Sequence, residues 1–340
     1  MKPVCNSVSV CVPATSANLG SGFDVAGIAL DYADSLVFTL DDSLDDSQDV
    51  RVIIHGEGED TLPKDETHLV VRAFRKACEV FGLPHLRFTL EAHNRIPQAR
   101  GMGSSASAIV SGVAAAWAFA HNGNLNKQAI FELASSIEGH PDNVAPAVFG
   151  GLTTSWKNGD EFHTVRYGVS KQIRATIFVP NFTLSTQMAR QALPEKVPYV
   201  DAVFNVSRAC LLPIAFGDFG DSRDSANSCD SCVKSTLSRN DLLFTATQDA
   251  IHQPYRASLM QPTWDLVKAL RDKGFAAAIS GAGSCAAVFY EEKSPATVDE
   301  NNATNISEKI EKIAEPLLSG CDWKVLHVHV DSIGVAITRE

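Results

Sequence analysis

The pattern of apolar and polar positions predicts that strands and helices alternate through the first half of the chain. Four segments have the short apolar or alternating pattern of strands: Val8–Val12, Asp34–Leu40, Val50–Ile54 and Leu86–Ala92. Three others repeat apolar residues at helical spacing or are rich in alanine: His68–Phe81, Ala106–Ala120 and Lys127–Ile137. The first half therefore mixes strands and helices.

The second half shows the same mixture after a change of composition at Trp156–Asp160, which we interpret as a link between two halves. Strands are predicted at Ala175–Pro180, at Trp323–Val330 and on both sides of a glycine turn in Ala276–Tyr290. Helices are predicted at Tyr199–Phe216, Trp264–Lys273 and Ile306–Leu318, and the stretch Leu242–Ala257 carries the segment His252–Arg256. Residues 217–240, rich in Asp, Ser, Arg and Cys, have the character of an irregular insertion.

Composition and charge narrow the class of protein. A chain of 340 residues with 45% hydrophobic and 20% charged residues is typical of a globular protein of one large or two ordinary domains, and we expect two. The formal net charge of −11 argues against a broad basic surface for nucleic acid or an anionic membrane. A phosphate site in this chain must therefore be local.

The N-terminal residues and the cysteine content do not point to secretion. Met1–Asn6 lacks a long apolar core, and Ala106–Ala120, the most apolar predicted helix, is too short to span a bilayer. We expect a cytoplasmic protein whose eight cysteines are reduced. Cys229 and Cys232 form a lone Cys-x-x-Cys pair, to which we assign neither a zinc site nor a redox role.

The stretch from Arg95 to Ser111 has the composition of an anion site. Gly101 and Gly103 allow the backbone to turn close to a ligand, and Ser104, Ser105 and Ser107 then begin an apolar helix. The first N–H groups of a helix lack intrahelical partners and lie at the positive end of its dipole, so a phosphate is favoured there. The same residues could form only a turn and a helix cap.

Two further segments carry polar side chains among small or apolar residues. Asn18 and Asp24 lie in the glycine-rich segment Pro13–Leu30, either as turn residues or facing a cleft. The segment that follows the helix Lys127–Ile137 crowds together four polar residues, namely Glu138, His140, Asp142 and Asn143. Gly139 and Pro141 would also occur at an ordinary helix C-terminus. A second Gly-x-Gly-Ser segment, Gly281–Ser284, could face the same ligand as Gly101–Ser104 from another domain.

Four segments in order, Pro13–Asp24, Pro97–Ser107, Glu138–Gly151 and Ile279–Ala286, resemble the GHMP kinase superfamily of small-molecule ATP kinases. The first, the third and His252–Arg256 are similar to the homoserine kinase family within it. Ser21 and Met102 depart from the family pattern, which usually has proline and leucine there. The resemblance implies an α+β fold of two domains, residues 1–165 binding ATP and residues 166–340 ferredoxin-like, with the active site in the cleft between them.

The resemblance also implies roles for individual residues at the ATP site. The segment Pro97, Gln98, Ala99, Arg100, Gly101, Met102, Gly103, Ser104, Ser105, Ala106 and Ser107 would surround the phosphates of ATP through backbone N–H groups. Ser105, or Ser104, and Glu138 would hold Mg²⁺, which prefers few protein carboxylates together with phosphate and water oxygens. Glu132 on the same helix is the competing carboxylate.

For the second substrate the family implies L-homoserine, held by Asn18, Asp24, His140, Thr186, Arg190 and Arg256. Asp24 would pair with the ammonium group, and the two guanidinium groups with the carboxylate. An amino-acid substrate needs this combination of charges, whereas a sugar or mevalonate does not. The reaction implied is phosphorylation of the side-chain hydroxyl on the route to threonine.

The position of a general base in related kinases falls here on Asn143. We therefore expect the hydroxyl to attack without a dedicated base and to lose its proton late, with Asp142 as base the alternative. The chain contains no Gly-Lys pair and so no Walker lysine. Other hypotheses are a mevalonate-type kinase of the superfamily and a catalytically silent binding protein, and a homodimer is expected by family likeness.

Overall fold

The computed structural model of the chain describes residues 2–44, 48–217, 236–292 and 305–340. The Cys229–Cys232 motif and most of the insertion predicted at 217–240 lie outside these ranges.

Two long strands joined by a tight turn form the centre of the N-terminal sheet. β1 (Ser7–Asn18) and β2 (Gly22–Leu40) pair antiparallel along almost their full length. β2 also pairs with β4 (Phe88–Asn94), and β4 pairs in parallel with β3 (Val50–Gly56), which lies at one edge of the sheet. The predicted strands are confirmed, but the strands extend further than the pattern indicates and bring Asn18 and Asp24 to the two sides of the turn.

Helices cover one face of this sheet: α1 (Leu69–Phe81), α2 (Ser104–Ala120), α3 (Lys127–Glu138) and α4 (Val144–Phe149). α1 buries one apolar face, and it ends where Gly82 adopts a left-handed conformation with φ of 72°. α2 is buried almost all round, because its many alanines allow the sheet and the helices α1, α3 and α4 to approach it closely. The N-terminus of α2 is therefore held rigidly, and it points at the edge of the core.

The link predicted at Trp156–Asp160 is wrong. These residues lie in the hairpin of β5 (Leu152–Asn158) and β6 (Glu161–Tyr167), which continues the N-terminal sheet through pairing of β5 with β2. The change in composition arises because the hairpin tip is exposed and turns at Gly159, whose φ is 61°.

The C-terminal domain has four antiparallel strands in the order β10-β7-β9-β8. They are β7 (Ile173–Pro180), β8 (Ala276–Ile279), β9 (Ala286–Glu291) and β10 (Trp323–His329). Its helices are α5 (Thr186–Gln191), α6 (Tyr199–Ala209), α7 (Leu212–Phe216), α8 (Arg239–Ala246), α9 (Gln253–Arg256), α10 (Gln261–Asp272) and α11 (Ile306–Ala314). This strand order is the ferredoxin-like topology that the resemblance implies.

The last strand of the chain returns to the first domain. β11 (Ala336–Arg339) pairs antiparallel with β1, so the first sheet has seven strands and contains residues from both ends of the chain. The final residues therefore lie outside the domain to which the predicted division at 165/166 assigns them.

One predicted helix is divided in the structure. Tyr199–Phe216 comprises α6 and α7, separated at Cys210 and Leu211. The stretch Leu242–Ala257, for which no element type was predicted, contains part of α8 and the short α9. Among the described residues, Tyr199–Phe216 is the stretch long and apolar enough, by length and composition, to cross a membrane. It carries the charged residues Asp201 and Arg208 and is interrupted between its two helices.

Candidate active site

The two glycine loops meet at the junction of the domains. Cβ at Gly101 would lie 2.0 Å from the carbonyl oxygen of Ser280, so only glycine permits this approach. Ser280 Oγ donates to Gly101 O at 2.6 Å, and the N–H of Cys285 donates to Arg100 O at 2.9 Å. Asn18 Nδ2 donates to Gly281 O at 2.6 Å. These hydrogen bonds fasten the two domains together beside the N-terminus of α2.

A cavity of about 260 Å³ lies in this junction. It is lined by residues from the sequence-predicted set, namely Asn18, Asp24, Ala99, Gly101, Gly103, Ser104, Ser105, Glu138, His140, Asn143, Thr186, Arg190 and Arg256. Asp142 and the glycine segment at Gly281 line it as well. Residues from widely separated parts of the chain thus share one site.

One end of the cavity is the N-terminus of α2. The loop before it turns through positive φ angles at Ala99 (53°), Gly101 (79°) and Gly103 (73°), and no side chain of the described residues caps the helix. Its first N–H groups therefore face the cavity without an intrahelical acceptor. Ser105 Oγ donates to Glu138 Oε2 at 2.8 Å, which places a hydroxyl and a carboxylate beside those N–H groups. Burial raises the pKa of Glu138, opposed by this hydrogen bond and by His140.

Several side chains of the predicted ATP segment point away from the cavity. Arg100 donates to the carbonyl oxygens of Pro180 and Asn181 in the second domain, and Met102 is buried in the core between the domains. Ser107 is buried and donates to Asp34 Oδ2 at 3.1 Å. Pro97 and Ala106 do not line the cavity either. Contact of these five residues with a ligand would have to be made by the backbone.

Asp34 is a buried carboxylate that the sequence analysis did not single out. Its Oδ1 accepts the N–H groups of Arg95 (2.7 Å) and Ile96 (2.9 Å), where β4 passes into the glycine loop. Burial raises its pKa, and these hydrogen bonds oppose the change. The signal available in the sequence was an acidic residue at the start of the predicted strand Asp34–Leu40. Asp34 joins the start of the loop to α2 and so fixes the loop from both sides.

The other end of the cavity carries paired charges. Asp24, held at φ of 59° after the turn, accepts from Arg190 Nη1 and Nη2 at 2.9 and 3.1 Å. The N–H of Asp24 donates to Asn18 Oδ1 at 2.9 Å, so the amide of Asn18 is engaged on both sides by protein groups. Hydrogen bonding to Asp24 raises the pKa of Arg190. About 40% of each charged side chain remains exposed, so the pair is accessible to a ligand.

Arg256 supplies a second, buried guanidinium. Its side chain donates through Nε to Ala189 O at 3.1 Å and lies over the ring of Phe23, 5.0 Å from the centroid. Nη1 lies 3.3 Å from Nδ1 of His252, whose Nε2 lies 2.8 Å from Gly20 O and donates to it. Burial lowers the pKa of His252, which leaves Nδ1 of the neutral ring as an acceptor for Arg256. This buried group positions Arg256 at the wall of the cavity.

Between the two ends lie His140, Asp142 and Asn143. His140 Nδ1 is 2.7 Å from Asp142 Oδ1, and this hydrogen bond raises the pKa of His140. The N–H of Asn143 donates to the same oxygen at 2.9 Å. Asn143 Oδ1 accepts from Thr15 Oγ1 at 2.7 Å. Thr15 was not predicted, because a threonine within a strand gives no functional signal in the sequence.

The two carboxylates considered for the metal lie in different surroundings. Glu138 faces the cavity, whereas Glu132 is exposed on α3 and accepts from Gln128 Nε2 at 2.8 Å. Thr186, the first residue of α5, lines the cavity four residues before Arg190. The geometry favours Glu138 over Glu132 as a ligand for a metal in this cavity.

A second cavity of about 200 Å³ adjoins the first at Ala99, Ser104 and Ser105. Its walls are mostly apolar and include Leu62, Leu69, Val70, Ile96 and Ala108. His68 also lines it and is only 4% exposed, and within the described residues neither ring nitrogen has a hydrogen-bond partner. Burial lowers the pKa of His68, so a neutral ring is available to a polar group of a ligand.

Comparison with known proteins agrees with this geometry. Residues 68–151 match the model of the GHMP kinases N terminal domain, and residues 233–309 match that of the GHMP kinases C terminal domain. The chain is 43% identical over 277 residues to homoserine kinase of Clavibacter michiganensis subsp. michiganensis. This alignment covers 81% of this chain and 80% of that protein. The chain is 38% identical over 333 residues to homoserine kinase of Streptomyces coelicolor, covering 97% and 94%.

Comparison with solved structures identifies the same fold. The crystal structure of homoserine kinase from Cytophaga hutchinsonii superposes with a TM-score of 0.77 at 24% identity, over 99% of each chain. At this identity the match shows the fold, whereas the curated relatives show the family. The chain belongs to the homoserine kinase family of the GHMP kinases.

Proposed function

We propose that the protein transfers the γ-phosphoryl group of ATP to the side-chain hydroxyl of L-homoserine, giving O-phospho-L-homoserine for threonine biosynthesis. The observation that carries the proposal is the arrangement of one cavity, with an uncapped helix N-terminus at one end and Asp24 with two arginines at the other. The curated relatives are named homoserine kinases, which supports the same reaction.

The charged end of the cavity suits a zwitterionic amino acid. Asp24 and Arg190 form an ion pair with each other. An α-ammonium group can pair with Asp24 and an α-carboxylate with Arg190 and Arg256, so two ion pairs replace one without leaving a charge unpaired. Mevalonate has a carboxylate but no ammonium group, and galactose has neither. The arrangement therefore favours an amino acid over the substrates of the related kinases.

The other end suits nucleotide phosphates. Backbone N–H groups of the glycine loop and of α2 provide fixed donors, and the helix dipole adds positive potential. The adjoining apolar cavity has walls suited to the nucleoside, with His68 as a polar contact. ATP would then reach from the second cavity into the first, with its terminal phosphate toward the amino-acid end.

The oxygen ligands at this end fit Mg²⁺. Ser105 Oγ and Glu138 Oε2 are 2.8 Å apart, and both face the phosphate end. Two hard oxygen ligands, completed by phosphate and water, satisfy the preference of this ion. When bound, Mg²⁺ neutralises charge on the phosphate oxygens. Glu138 and Ser105 are the residues that we assign to hold it.

The residues between the two ends align the reacting groups. Thr15 donates to the amide oxygen of Asn143, and the amide nitrogen makes one long contact, 3.5 Å, with Asp142 Oδ1. Its second N–H remains to orient the hydroxyl of the substrate. Asp142 is almost fully buried, and its Oδ1 is engaged by His140 and by the N–H of Asn143, so we assign it to orient these two neighbours rather than to accept the hydroxyl proton. Phosphoryl transfer depends chiefly on alignment and charge neutralisation, and the hydroxyl proton can leave late in the reaction.

The test is an ADP-release assay with Mg²⁺-ATP and four acceptors: L-homoserine, L-threonine, mevalonate and galactose. We expect turnover with L-homoserine. Preference for mevalonate would support the second candidate, a mevalonate-type kinase, and would leave the ATP site assigned but not the amino-acid end. ATP binding without turnover on any acceptor would instead support a silent binding protein.

Oligomeric state is a separate part of the proposal. We infer a homodimer, by likeness to the family. Helix α6 exposes Tyr199, Val200, Val203 and Val206, with at least half of each side chain accessible, which is unusual for a surface without a partner. The molar mass from light scattering tests the dimer, with Val203→Glu as the variant expected to give monomers if α6 is the interface.

A further inference from the structure

Three side chains on the open face of the N-terminal sheet converge on one point. His55 lies on β3, and Glu91 and His93 lie on β4. His55 and His93 are direct partners in the parallel register. Because side chains alternate along a strand, Glu91 and His93 share the face opposite the buried Ala92, away from the helices.

The distances between these groups match those within a metal coordination sphere. Nε2 of His55 and Nε2 of His93 lie 3.3 and 3.2 Å from the same atom, Oε1 of Glu91. All three donor atoms lie within 4.8 Å of one another. In a tetrahedral zinc site with bonds of about 2.0–2.1 Å, neighbouring donor atoms are about 3.3 Å apart. The three groups are therefore already spaced to share one ion.

The strands preorganise the site. The two imidazole rings stack with centroids 4.7 Å apart and planes inclined by 18°, so both present the same edge to Glu91. Neighbouring strands of a sheet fix the backbone positions of all three residues. About half of each side chain is exposed, which leaves room for water or another ligand in a fourth position. Among the described residues no other group of His, Cys, Asp and Glu has donor atoms so arranged.

The chemistry of the donors selects the ion. Imidazole nitrogens favour Zn²⁺, Cu²⁺ and Ni²⁺, whereas Mg²⁺ requires oxygen ligands in octahedral geometry. We propose that His55, Glu91 and His93 form a binding site for a divalent cation of the Zn²⁺ class, distinct from the Mg²⁺ ligands at Ser105 and Glu138. This proposal does not depend on the kinase activity.

Binding there would link the edge strand to its neighbour. β3 has β4 as its strand partner, and the ion would join the two near their C-terminal ends. Since the ligand geometry exists only in the folded chain, the ion stabilises the fold by mass action. Without an ion the cluster is a pair of exposed histidine–carboxylate contacts, an arrangement that contributes little to stability.

The experiment is a Zn²⁺ titration of the metal-free, full-length protein in competition with a chromophoric chelator, in excess Mg²⁺. The variants are His55→Ala, His93→Ala and Glu91→Gln. The matched control is His163→Ala, which removes an exposed histidine lying 3.6 Å from one carboxylate, that of Glu161. Glu138→Gln separates this site from the carboxylate in the cavity. Far-UV circular dichroism establishes that each variant is folded.

We expect one Zn²⁺ per chain in the wild type, in His163→Ala and in Glu138→Gln. Loss of either imidazole should weaken binding by more than about 10-fold, since even residues that only orient a metal ligand have effects of this size. Zn²⁺ should raise the melting temperature of Glu138→Gln but not that of His93→Ala. Equal affinity of the wild type and His93→Ala, or loss of binding in Glu138→Gln alone, would overturn the proposal.

Discussion

Arg190 reaches from the second domain to form a two-point ion pair with Asp24, which lies just after the turn between the first two strands of the chain. The two residues are 166 positions apart in the sequence, and their pairing places opposite charges at the amino-acid end of the cavity.

Arg190→Ala should raise KM for L-homoserine by about 10- to 100-fold with a smaller change in kcat, because it removes a charge-assisted hydrogen bond made to bound substrate. Steady-state kinetics with varied homoserine measures the effect. Arg174→Ala is the matched control, since Arg174 pairs with Glu292 at 3.2 Å on another surface. An unchanged KM in Arg190→Ala would remove this residue from the substrate site.

Asp142→Asn should lower kcat by less than about 100-fold, below the range that loss of a general base commonly causes. The substitution keeps the shape of the side chain and removes its ability to accept a proton. Single-turnover phosphorylation measures the chemical step directly. A larger loss of rate in Asp142→Asn, together with a wild-type rate that falls as the pH is lowered, would identify Asp142 as the base.

Acidification should lower the affinity for Mg²⁺, and this loss should begin at a higher pH than it would with a glutamate of ordinary pKa. Burial raises the pKa of Glu138 above its usual 4.5, and the ion requires the ionised carboxylate. The apparent affinity for Mg²⁺ should therefore be at its maximum at pH values well above the raised pKa of Glu138. It should fall as the pH drops through that pKa. Ser105→Ala removes a hydrogen bond that lowers this pKa and should move the midpoint upward.

Glu132→Gln is the control for that experiment, because its side chain is exposed and bonded to Gln128. A pH profile that shifts in Glu132→Gln and not in Ser105→Ala would assign the metal to the competing carboxylate.

His68→Phe should raise KM for ATP by about 2- to 10-fold, the effect of one lost hydrogen bond, and leave KM for homoserine unchanged. The ring is buried in the second cavity with both nitrogens unpaired among the described residues. His163→Phe, on the exposed β5–β6 hairpin, provides the comparison. Equal ATP kinetics in the wild type and His68→Phe would place the nucleoside elsewhere.

Gly101→Ala should lower the free energy of unfolding by at least about 2 kcal/mol, since the new Cβ is strained at a φ of 79° and meets Ser280 O. Urea denaturation measures the change. Gly123→Ala is the matched substitution, because a Cβ there meets nothing within 4 Å. Similar stability of the two variants would contradict the close approach of the loops.

The sequence predicts most of this structure because its strongest signals are local. The spacing of apolar residues locates α1 and α3 to within a residue or two, and the composition of the segment before α2 predicts the glycine loop. The hairpin at Trp156–Asp160 was misread because an exposed hairpin tip and a domain linker have the same polar, glycine-containing composition.

Long-range relations are harder to predict. Nothing local indicates that Ala336–Arg339 pairs with β1, or that Thr15 donates to Asn143 across 128 residues. Asp34 and His68 begin a predicted strand and a predicted helix, Asp34–Leu40 and His68–Phe81, and a single polar residue at such a position is usually structural. Their surroundings become visible only when the elements are packed.

The hydrogen bonds between the glycine loops determine how the enzyme can admit its substrates. Because Ser280, Cys285 and Asn18 join the domains beside the phosphate end, opening there would break several buried bonds at once. The Asp24–Arg190 contact is partly solvated and lies on the short helix α5, so it can separate at lower cost. We therefore expect the amino acid to enter and leave when Asp24 and Arg190 separate, while the contacts between the domains beside α2 stay closed.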